Sequence, residues 1–377
     1  MNIICPKDTL AKYINIVSKA VSSKSTMQIL ECVLLVADAG GLRMTANDME
    51  MAIETDYIGA EVVKEGAVCL EARFFSEIVR KMPDGPIDIK TDLNHVTVFK
   101  NGPTELKILG QSPDEFPRMP AFEKDRYIKI PAIKFKNMIR QTIFSVSQDN
   151  SKPVFTGGLM EFKDGALNLV TVDGFRISFR REAVVLPDDM ANMDNFTLTA
   201  VVPGRTLGEI GKILDAEEEG ELFVYFTDKH VLFEQKQFTL LSRLIEGDFL
   251  RYEKNLSANV ATGLTINREE LILSLERSML ISRDMVRNPV ALKIGGDRMV
   301  ITSNTEQGTI YDEINAQITG DDLAISFNPR YLTDALKAID DADVAMDFNT
   351  SVSPCIIRSA ADNDNYKYLI MATRSLS

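Results

Sequence analysis

The chain of 377 residues contains three copies of one pattern, which consists of a strand, a tight turn and a second strand. The first two copies are residues 29–54 and 154–179, and an offset of 125 positions sets Asp48 on Asp173. The third copy covers residues 290–313. A repeated supersecondary unit restricts a chain to folds in which that unit recurs beside its neighbours. The sequence therefore predicts a molecule built from three related parts.

Each copy turns at a pair of small residues between two apolar runs. Such turns need backbone with positive φ, which glycine and aspartate-glycine pairs adopt readily, so they are typical of hairpins. The pairs are Gly40-Gly41, Asp164-Gly165 and Gly295-Gly296.

A helical pattern precedes each hairpin, and a second one follows it. In the first of these, Leu10, Ile14 and Val17 recur at helical spacing. Pro203 and Pro329 stand where helices commonly begin. The predicted helices cover residues 8–20, 73–82, 132–146, 204–214, 268–282 and 329–339.

These elements predict an α+β chain of three repeated domains, each made of two strand-rich units that carry one helix apiece. The predicted domains are residues 1–122, 126–254 and 258–377, joined by short polar segments. The second copy is longer than the first, and the polar run 188–195 is the natural place for the insertion. The acidic run 217–219 is interpreted as a solvated turn.

Composition predicts a cytoplasmic protein without a membrane span. No apolar run approaches eighteen residues, and the first residues lack the basic and apolar regions of a secretion signal. The cysteines are dispersed and form no CxxC pair, which is typical of reduced thiols. They are Cys5, Cys32, Cys69 and Cys355.

The charge of the chain is unevenly distributed. The formal net charge is −13, yet the six predicted helices and their flanks carry fifteen Lys and Arg against seven Asp and Glu. A general preference of helices for Lys and Arg is one explanation. Glu is an equally good helix former, however, so the bias also indicates a cationic surface that contacts phosphates without reading bases.

No catalytic motif is recognisable, and the sequence predicts no active site, no metal and no cofactor. The only histidines, His95 and His230, lie in strand-like patterns, and no zinc, phosphate-loop or nucleophile-elbow spacing occurs. An enzyme assembled from acids such as Asp48 and Asp173 is one alternative, although the third copy has Thr305 there. A repeat scaffold without a nucleic-acid role is another, and it leaves the basic helices unexplained.

Several stretches, in their order and spacing, carry a family resemblance over essentially the whole chain. They are residues 171–177 (TVDGFRI), 110–117, 241–249, 325–339 and 368–374. The chain resembles the beta sliding clamp of bacterial DNA polymerase III. The resemblance implies a non-catalytic processivity factor with antiparallel sheets outside and six helices inside. Two chains would close head to tail into a homodimeric ring around double-stranded DNA, independently of base sequence.

The basic helices and their flanks supply the predicted DNA-facing residues. They are Lys24, Arg73, Arg80, Lys81, Lys134, Lys136, Arg140, Gln148, Arg205, Lys212, Arg277 and Arg283. The resemblance further implies a dimer interface formed by the strand around residues 105–110 and the end of the helix near residue 280. Its predicted apolar residues are Leu106, Ile108, Leu280 and Ile281.

The resemblance also implies a groove between the second and third domains that binds short linear peptides. Its partners would be the replicative polymerase alpha subunit, the clamp loader, repair polymerases, ligase and mismatch-repair proteins. Leu250 and Ala372 replace prolines that are common in the family, Phe175 replaces a frequent histidine, and three residues follow Arg374. The implied groove residues are Phe155, Val172, Gly174, Phe175, Arg176, Ile177, Leu250, Lys254, Asn255, Asn328, Tyr331, Val352, Pro354, Leu369, Met371, Ala372, Thr373 and Arg374.

Overall fold

A computed structural model of the protein describes residues 1–22, 25–184, 197–214, 220–257, 259–281, 289–361 and 365–373. Within these ranges the chain forms 25 strands and six α-helices. Its contacts define two compact units, which are Met1–Ala132 with Lys212–Leu244, and Ile133–Gly211 with Ile245–Ser377. The insertion predicted at 188–195 and the acidic run 217–219 lie outside the described residues.

One order of elements, which is a strand, a helix, four strands, a helix and three strands, occurs three times, and the first copy has one additional strand before its second helix. The first copy comprises β1 (Asn2–Pro6), α1 (Lys7–Val17), β2 (Cys32–Asp38), β3 (Gly41–Asn47), β4 (Met51–Thr55), β5 (Glu61–Lys64), β6 (Gly66–Glu71), α2 (Ala72–Lys81), β7 (Pro86–Thr91), β8 (Val96–Asn101) and β9 (Thr104–Leu109). The second comprises β10 (Tyr127–Pro131), α3 (Ala132–Arg140), β11 (Gly157–Lys163), β12 (Ala166–Val172), β13 (Arg176–Ala183), β14 (Leu198–Pro203), α4 (Gly204–Ile213), β15 (Glu221–Phe226), β16 (His230–Gln235) and β17 (Phe238–Arg243). The third comprises β18 (Thr262–Asn267), α5 (Arg268–Leu280), β19 (Val290–Gly295), β20 (Arg298–Thr305), β21 (Gly308–Gly320), β22 (Leu323–Phe327), α6 (Pro329–Ala338), β23 (Asp343–Phe348), β24 (Cys355–Ser359) and β25 (Tyr366–Ile370). The predicted α+β class with three repeated domains is therefore confirmed.

All strand pairs are antiparallel in the described ranges. The first unit contains a five-stranded sheet in the order β5-β1-β7-β8-β9 and an eight-stranded sheet in the order β10-β15-β16-β17-β4-β3-β2-β6. The second unit contains a twelve-stranded sheet that runs from β14 through β13 and β25 to β22. Two strand pairs join neighbouring repeats: β17 pairs with β4, and β25 pairs with β13.

The predicted hairpins form where the small-residue turns indicated. β2 pairs with β3, β11 with β12, and β19 with β20. Gly41, Asp164, Gly165 and Gly296 all have positive φ in these turns, which is the conformation that the residue types at these positions favour.

The helices begin near their predicted positions, but α3 ends earlier than predicted. The pattern predicted a helix over 132–146, whereas α3 ends at Arg140. The amide of Thr142 donates to the carbonyl of Ile139, three residues back, so the last turn tightens. The hydroxyl of Thr142 also donates to the Met138 carbonyl at 2.8 Å, which competes with a continued α-helix.

Several strands end a sheet and keep one unpaired backbone edge within the described ranges, and two unpaired edges bear on the predicted interface. β9 is the last strand of its sheet and pairs with β8 alone. β21 pairs with β18 over residues 316–320, but its first half, residues 308–315, pairs only with β20. Unpaired edges are templates for another strand unless something covers them.

Candidate functional site

The turn between β12 and β13 begins the predicted groove. One carboxylate oxygen of Asp173 accepts hydrogen bonds from the amides of Phe175 and Arg176, at 2.9 and 3.1 Å. Gly174 between them has a φ of 94°, a conformation that a residue without Cβ adopts at little cost. The aspartate therefore fixes the direction in which the next two side chains leave the turn.

The guanidinium of Arg176 is held by partners from three segments. It donates to Asp173 at 2.8 Å, to Asp334 of α6 at 2.7 Å and to the Phe144 carbonyl at 2.7 Å. It also lies over the rings of Phe144 and Tyr331, 5.2 and 4.6 Å from their centroids. Its side chain is only 10% exposed. Arg176 is thus a fixed structural connection between the second and third repeats, with its charge already neutralised.

An exposed aromatic surface covers this arginine. The ring of Phe175 stacks on Tyr331 with centroids 6.0 Å apart and an interplanar angle of 23°, yet Phe175 remains 58% exposed. Burial, followed by the nearby Asp173 charge, raises the pKa of Tyr331, so its phenol stays neutral at physiological pH. The pair offers a flat apolar contact to a ligand.

The last described segment of the chain is tied down beside this surface. The amide of Met371 donates to the Phe175 carbonyl at 2.9 Å, and the amide of Thr373 donates to the Ser326 carbonyl at 2.8 Å. Met371 is 44% exposed, and Ala372 packs against the core of the third repeat. Arg374 lies outside the described residues.

A buried cluster forms the base of the site. Val172, Ile177 and Leu369 belong to one apolar cluster, and Phe155 packs against it. The Phe155 ring meets Phe249 edge-on at 5.8 Å. The sequence prediction omitted several members of this cluster and the anchors of Arg176, which are Phe144, Asp173, Ile245, Phe249, Tyr252, Leu256 and Asp334. Asp173 had a sequence signal in its repeat partner Asp48. Ile245, Phe249 and Asp334 lie in stretches that carry the family resemblance, but nothing there marked them as groove residues.

The remaining predicted groove residues do not belong to this buried cluster. Asn328 is buried, and its side chain caps α6 by accepting the Arg330 amide at 2.9 Å, so its first role is structural. Val352 is 72% exposed in the loop between β23 and β24. The other members are half-buried or exposed, and they are Leu250, Lys254, Asn255 and Pro354.

The acids that suggested an alternative enzyme have turn-forming roles. Asp48 accepts the amides of Glu50 and Met51 at 3.1 and 2.8 Å, as Asp173 does in its own turn. Among the residues that the structure describes, no group of three or more His, Cys, Asp or Glu is arranged to hold a metal ion. No helix in the described ranges is long and apolar enough to cross a bilayer.

Some of the predicted DNA-facing cations form ion pairs with neighbouring carboxylates, and others do not. Arg80 and Lys81, in the last turn of α2, are exposed and make no ion pair with another described residue. Arg73 and Lys134 pair with Glu77 at 3.6 Å and Glu182 at 3.4 Å.

Two other arginines are tied to neighbouring elements. Arg140 pairs with Asp340 at 2.6 Å and donates to the Ala338 carbonyl at 3.3 Å. Arg277 of α5 pairs with Asp312 of β21. Lys136, Gln148, Arg205 and Lys212 are accessible to solvent, whereas Lys24 and Arg283 lie outside the described residues.

The predicted interface residues lie at or beside the unpaired edges of β9 and β21. Leu106 and Ile108 share one face of β9, and Leu106 is 41% exposed. Leu280, 82% exposed, ends α5. The carbonyl of Ile281 accepts the Thr305 hydroxyl at 2.7 Å, which places it beside the start of the free half of β21.

Three repeated α+β domains of antiparallel sheets, carrying six helices in all within the described ranges, define a DNA-clamp fold. Family models for the N-terminal, central and C-terminal domains of the DNA polymerase III beta subunit match residues 1–120, 129–250 and 255–374. Two proteins named beta sliding clamp, from Halalkalibacterium halodurans and Bacillus subtilis, are 34% and 32% identical to the chain, with 100% of each chain covered.

Solved structures agree with this assignment. The DNA polymerase sliding clamp of Bacillus subtilis superposes with a TM-score of 0.93 at 31% identity, covering 100% of this chain and 99% of that one. The beta subunit from the DNA polymerase of Streptococcus pyogenes gives a TM-score of 0.92 at 25% identity, covering 100% of both. The chain belongs to the DNA polymerase III beta subunit family, the DNA sliding clamps of polymerase processivity.

Proposed function

We propose that two copies of the chain close head to tail around duplex DNA and tether the replicative polymerase to it without catalysing a reaction. The excess of Lys and Arg on the helices of a chain with net charge −13 carries this proposal. Cations on such helices contact phosphates and carry no sequence information, which suits a protein that must slide. The proposal places this activity in the cytoplasm and assigns the chain no active site.

Encirclement predicts a difference between circular and linear DNA. A closed ring should remain on a nicked circular plasmid at moderate salt and leave after the plasmid is cut once, because a free end lets the ring slide off. Gel filtration of fluorescently labelled protein, loaded on each DNA form, measures the retained fraction. Equal retention on the two forms contradicts encirclement, and retention at low salt alone indicates simple electrostatic binding.

We also propose that the groove around Phe175 and Tyr331 binds short peptide segments of partner proteins. Its stacked aromatic surface, its fixed arginine and the exposed Val352 and Met371 suit an extended peptide with apolar and aromatic anchors. Proposed partners are the replicative polymerase alpha subunit, the clamp loader, repair polymerases, ligase and mismatch-repair proteins.

A truncation tests the groove separately from the ring. Removal of residues 371–377 deletes the segment that bonds to Phe175 and Ser326 and should abolish binding of a fluorescein-labelled peptide with apolar and aromatic anchors. Removal of 375–377 alone, the three residues after the last predicted groove residue, is the matched control and should retain binding. Unchanged anisotropy titrations for the longer truncation mean that the groove lies elsewhere.

We propose that the dimer interface joins the unpaired edges of β9 and β21. β9 of one chain would meet the free half of β21 of the other, with Leu106 and Ile108 against Leu280 and Ile281. Strand pairing across the chains would give hydrogen-bond partners to the unpaired backbone N–H and C=O groups of β9 and β21. A twofold axis would then close the ring. We also propose that the three clamp domains cover residues 1–122, 126–254 and 258–377.

A further inference from the structure

The turn that begins the groove is built twice in the chain. Asp48 accepts the amides of Glu50 and Met51, as Asp173 accepts those of the two residues at the matching positions. Met49 stands at the position of Gly174 and also has positive φ, 77° against 94°. For a side chain as large as methionine this conformation is uncommon, so the turn geometry is kept at some energetic cost.

The strand beside each turn is also the same. Ser242 and Leu241 of β17 pair with Met51 and Ala52 of β4. At the second turn, Ile370 and Leu369 of β25 pair with Arg176 and Ile177 of β13 in the same register.

Where β17 and β25 end, the same backbone hydrogen bond ties the strand end to the turn. The Arg243 amide donates to the Glu50 carbonyl at 3.0 Å, and the Met371 amide donates to the Phe175 carbonyl at 2.9 Å. The two junctions between repeats therefore share the turn, the strand register and the hydrogen bond at the strand end.

A cavity lies at the first of these turns, within the first compact unit. Its volume is about 270 Å³, enough for an aliphatic side chain. The connecting segment after Phe116 forms one wall, where Asn47 donates to the Pro117 carbonyl at 3.1 Å. We call this cavity the β4 pocket, and its apolar lining is Met49, Met51, Ala52, Pro117, Pro120 and Leu241.

The rim of the β4 pocket is mainly cationic on an acidic chain. Arg118 lines the pocket, is exposed, and makes no ion pair with any described residue. Arg243 has a loose, exposed pair with Glu50 at 3.6 Å, so it remains accessible to a ligand carboxylate. His230 also lines the rim, but burial, followed by the charge of Arg243, lowers the pKa of its imidazole, so the positive charge comes from the two arginines. An apolar cavity beside two accessible arginines is complementary to an apolar side chain with acidic neighbours.

We propose that the β4 pocket is a second peptide site, which binds a short segment with an aliphatic anchor next to acidic residues. This inference rests on the peptide groove proposed above around Phe175 and Tyr331. The β4 pocket lies at a turn with the same backbone hydrogen bonds, at the junction between the first and second repeats. The two sites would differ in preference. Glu50 and Met51 replace Phe175 and Arg176, so the β4 pocket has no aromatic stack, and flexible methionines line it instead.

A stoichiometry measurement tests the proposal with the full-length protein. The probe is the fluorescein-labelled peptide Asp-Leu-Ala-Phe-Asp, which offers an aliphatic residue with acidic neighbours to the β4 pocket and an aromatic anchor to the groove at Phe175. The variant is Met49→Gly with Arg118→Glu. Glycine suits the positive φ at position 49, and Arg118 is exposed, so the fold should be retained. Phe175→Ala is the matched variant in the other groove. Wild type should bind two peptides per chain, each single-site variant one, and the combined variant none.

The outcomes separate the two sites. If only the Met49→Gly, Arg118→Glu variant loses binding, the β4 pocket stands and the groove at Phe175 fails. If that variant binds as many peptides as wild type with the same affinity, or if wild type binds none, the β4 pocket is not a peptide site. A probe with Lys in place of both Asp should bind the β4 pocket at least tenfold more weakly, and equal affinity would overturn the acidic preference.

Discussion

The carboxylate of Asp334 accepts a hydrogen bond from Arg176 at 2.7 Å, although the two residues are 158 positions apart. Arg176 opens β13 in the second repeat, and Asp334 lies in the middle of α6 in the third. The pair is mostly shielded from solvent, with side chains 10% and 29% exposed. It therefore fixes Arg176 against the Tyr331 ring, at the surface where we propose that peptides bind.

Substitution of Asp334 by Ala should weaken peptide binding through the position of Arg176. Losing a hydrogen bond to a charged group typically costs about 1.5–3 kcal/mol, and Arg176 keeps Asp173 as a partner, so the lower end is expected for the free energy of unfolding. Urea unfolding and anisotropy titration measure the two effects. Asp340→Ala, which removes the exposed pair with Arg140, is the control and should leave peptide affinity unchanged. Equal affinities for all three proteins would show that the pair does not organise the groove.

Arg80 and Lys81 should contribute more to DNA binding than the paired arginines do. Neither is neutralised by another described residue, whereas Arg140 and Arg277 must leave Asp340 and Asp312 before they meet a phosphate. Each lost phosphate contact lowers the slope of log affinity against log salt by about 0.9. The Arg80→Ala, Lys81→Ala variant should therefore reduce the slope by about 1.8, measured by filter binding over a salt series.

A matched pair of lysines controls for net charge in that measurement. Lys229 and Lys236 are exposed at the two ends of β16, and their replacement by Ala changes the total charge by the same amount. Their loss should leave the salt slope as it is in wild type. A similar decrease for both double variants would attribute the effect to overall charge and not to the helix.

The four cysteine thiols should resist alkylation in the folded protein. All are buried, and burial raises the pKa of Cys5 and Cys69 to about 12 and that of Cys32 to about 11. Burial also raises the pKa of Cys355. Because the thiolate is the reactive form, iodoacetamide at pH 8 should modify none of them quickly, and all four should react in denaturant.

Mass spectrometry of intact protein counts the modified thiols over time. Ser151→Cys, at an exposed position, serves as the positive control and should react within minutes. Rapid modification of a native cysteine in the folded protein would mean that its surroundings open on the timescale of the reaction.

The repeats and most helix limits could be predicted from sequence because they depend on local signals. Gly165 and Gly296 mark turns whose backbone their residue type favours, and Asn267 caps α5 by accepting the Glu270 amide. The partners of Arg176 could not be predicted in this way. Asp334 lies in a stretch that carries the family resemblance, but nothing in the sequence marks its carboxylate as a partner of Arg176, which it becomes only when β13 and α6 pack together.

Changing Leu280 and Ile281 to Ala should produce a folded monomer that still binds peptide. Leu280 is 82% exposed in the single chain, so it contributes little to the free energy of folding. Its burial in an interface would contribute to the free energy of association. Full burial of a large apolar side chain contributes about 1.5–3 kcal/mol, and a closed ring makes the contact twice. The groove lies within one chain and should retain its affinity. Sedimentation equilibrium distinguishes monomer from dimer, with Val260→Ala, another exposed apolar position, as the control. A double variant that dimerises as tightly as wild type would place the interface at another surface.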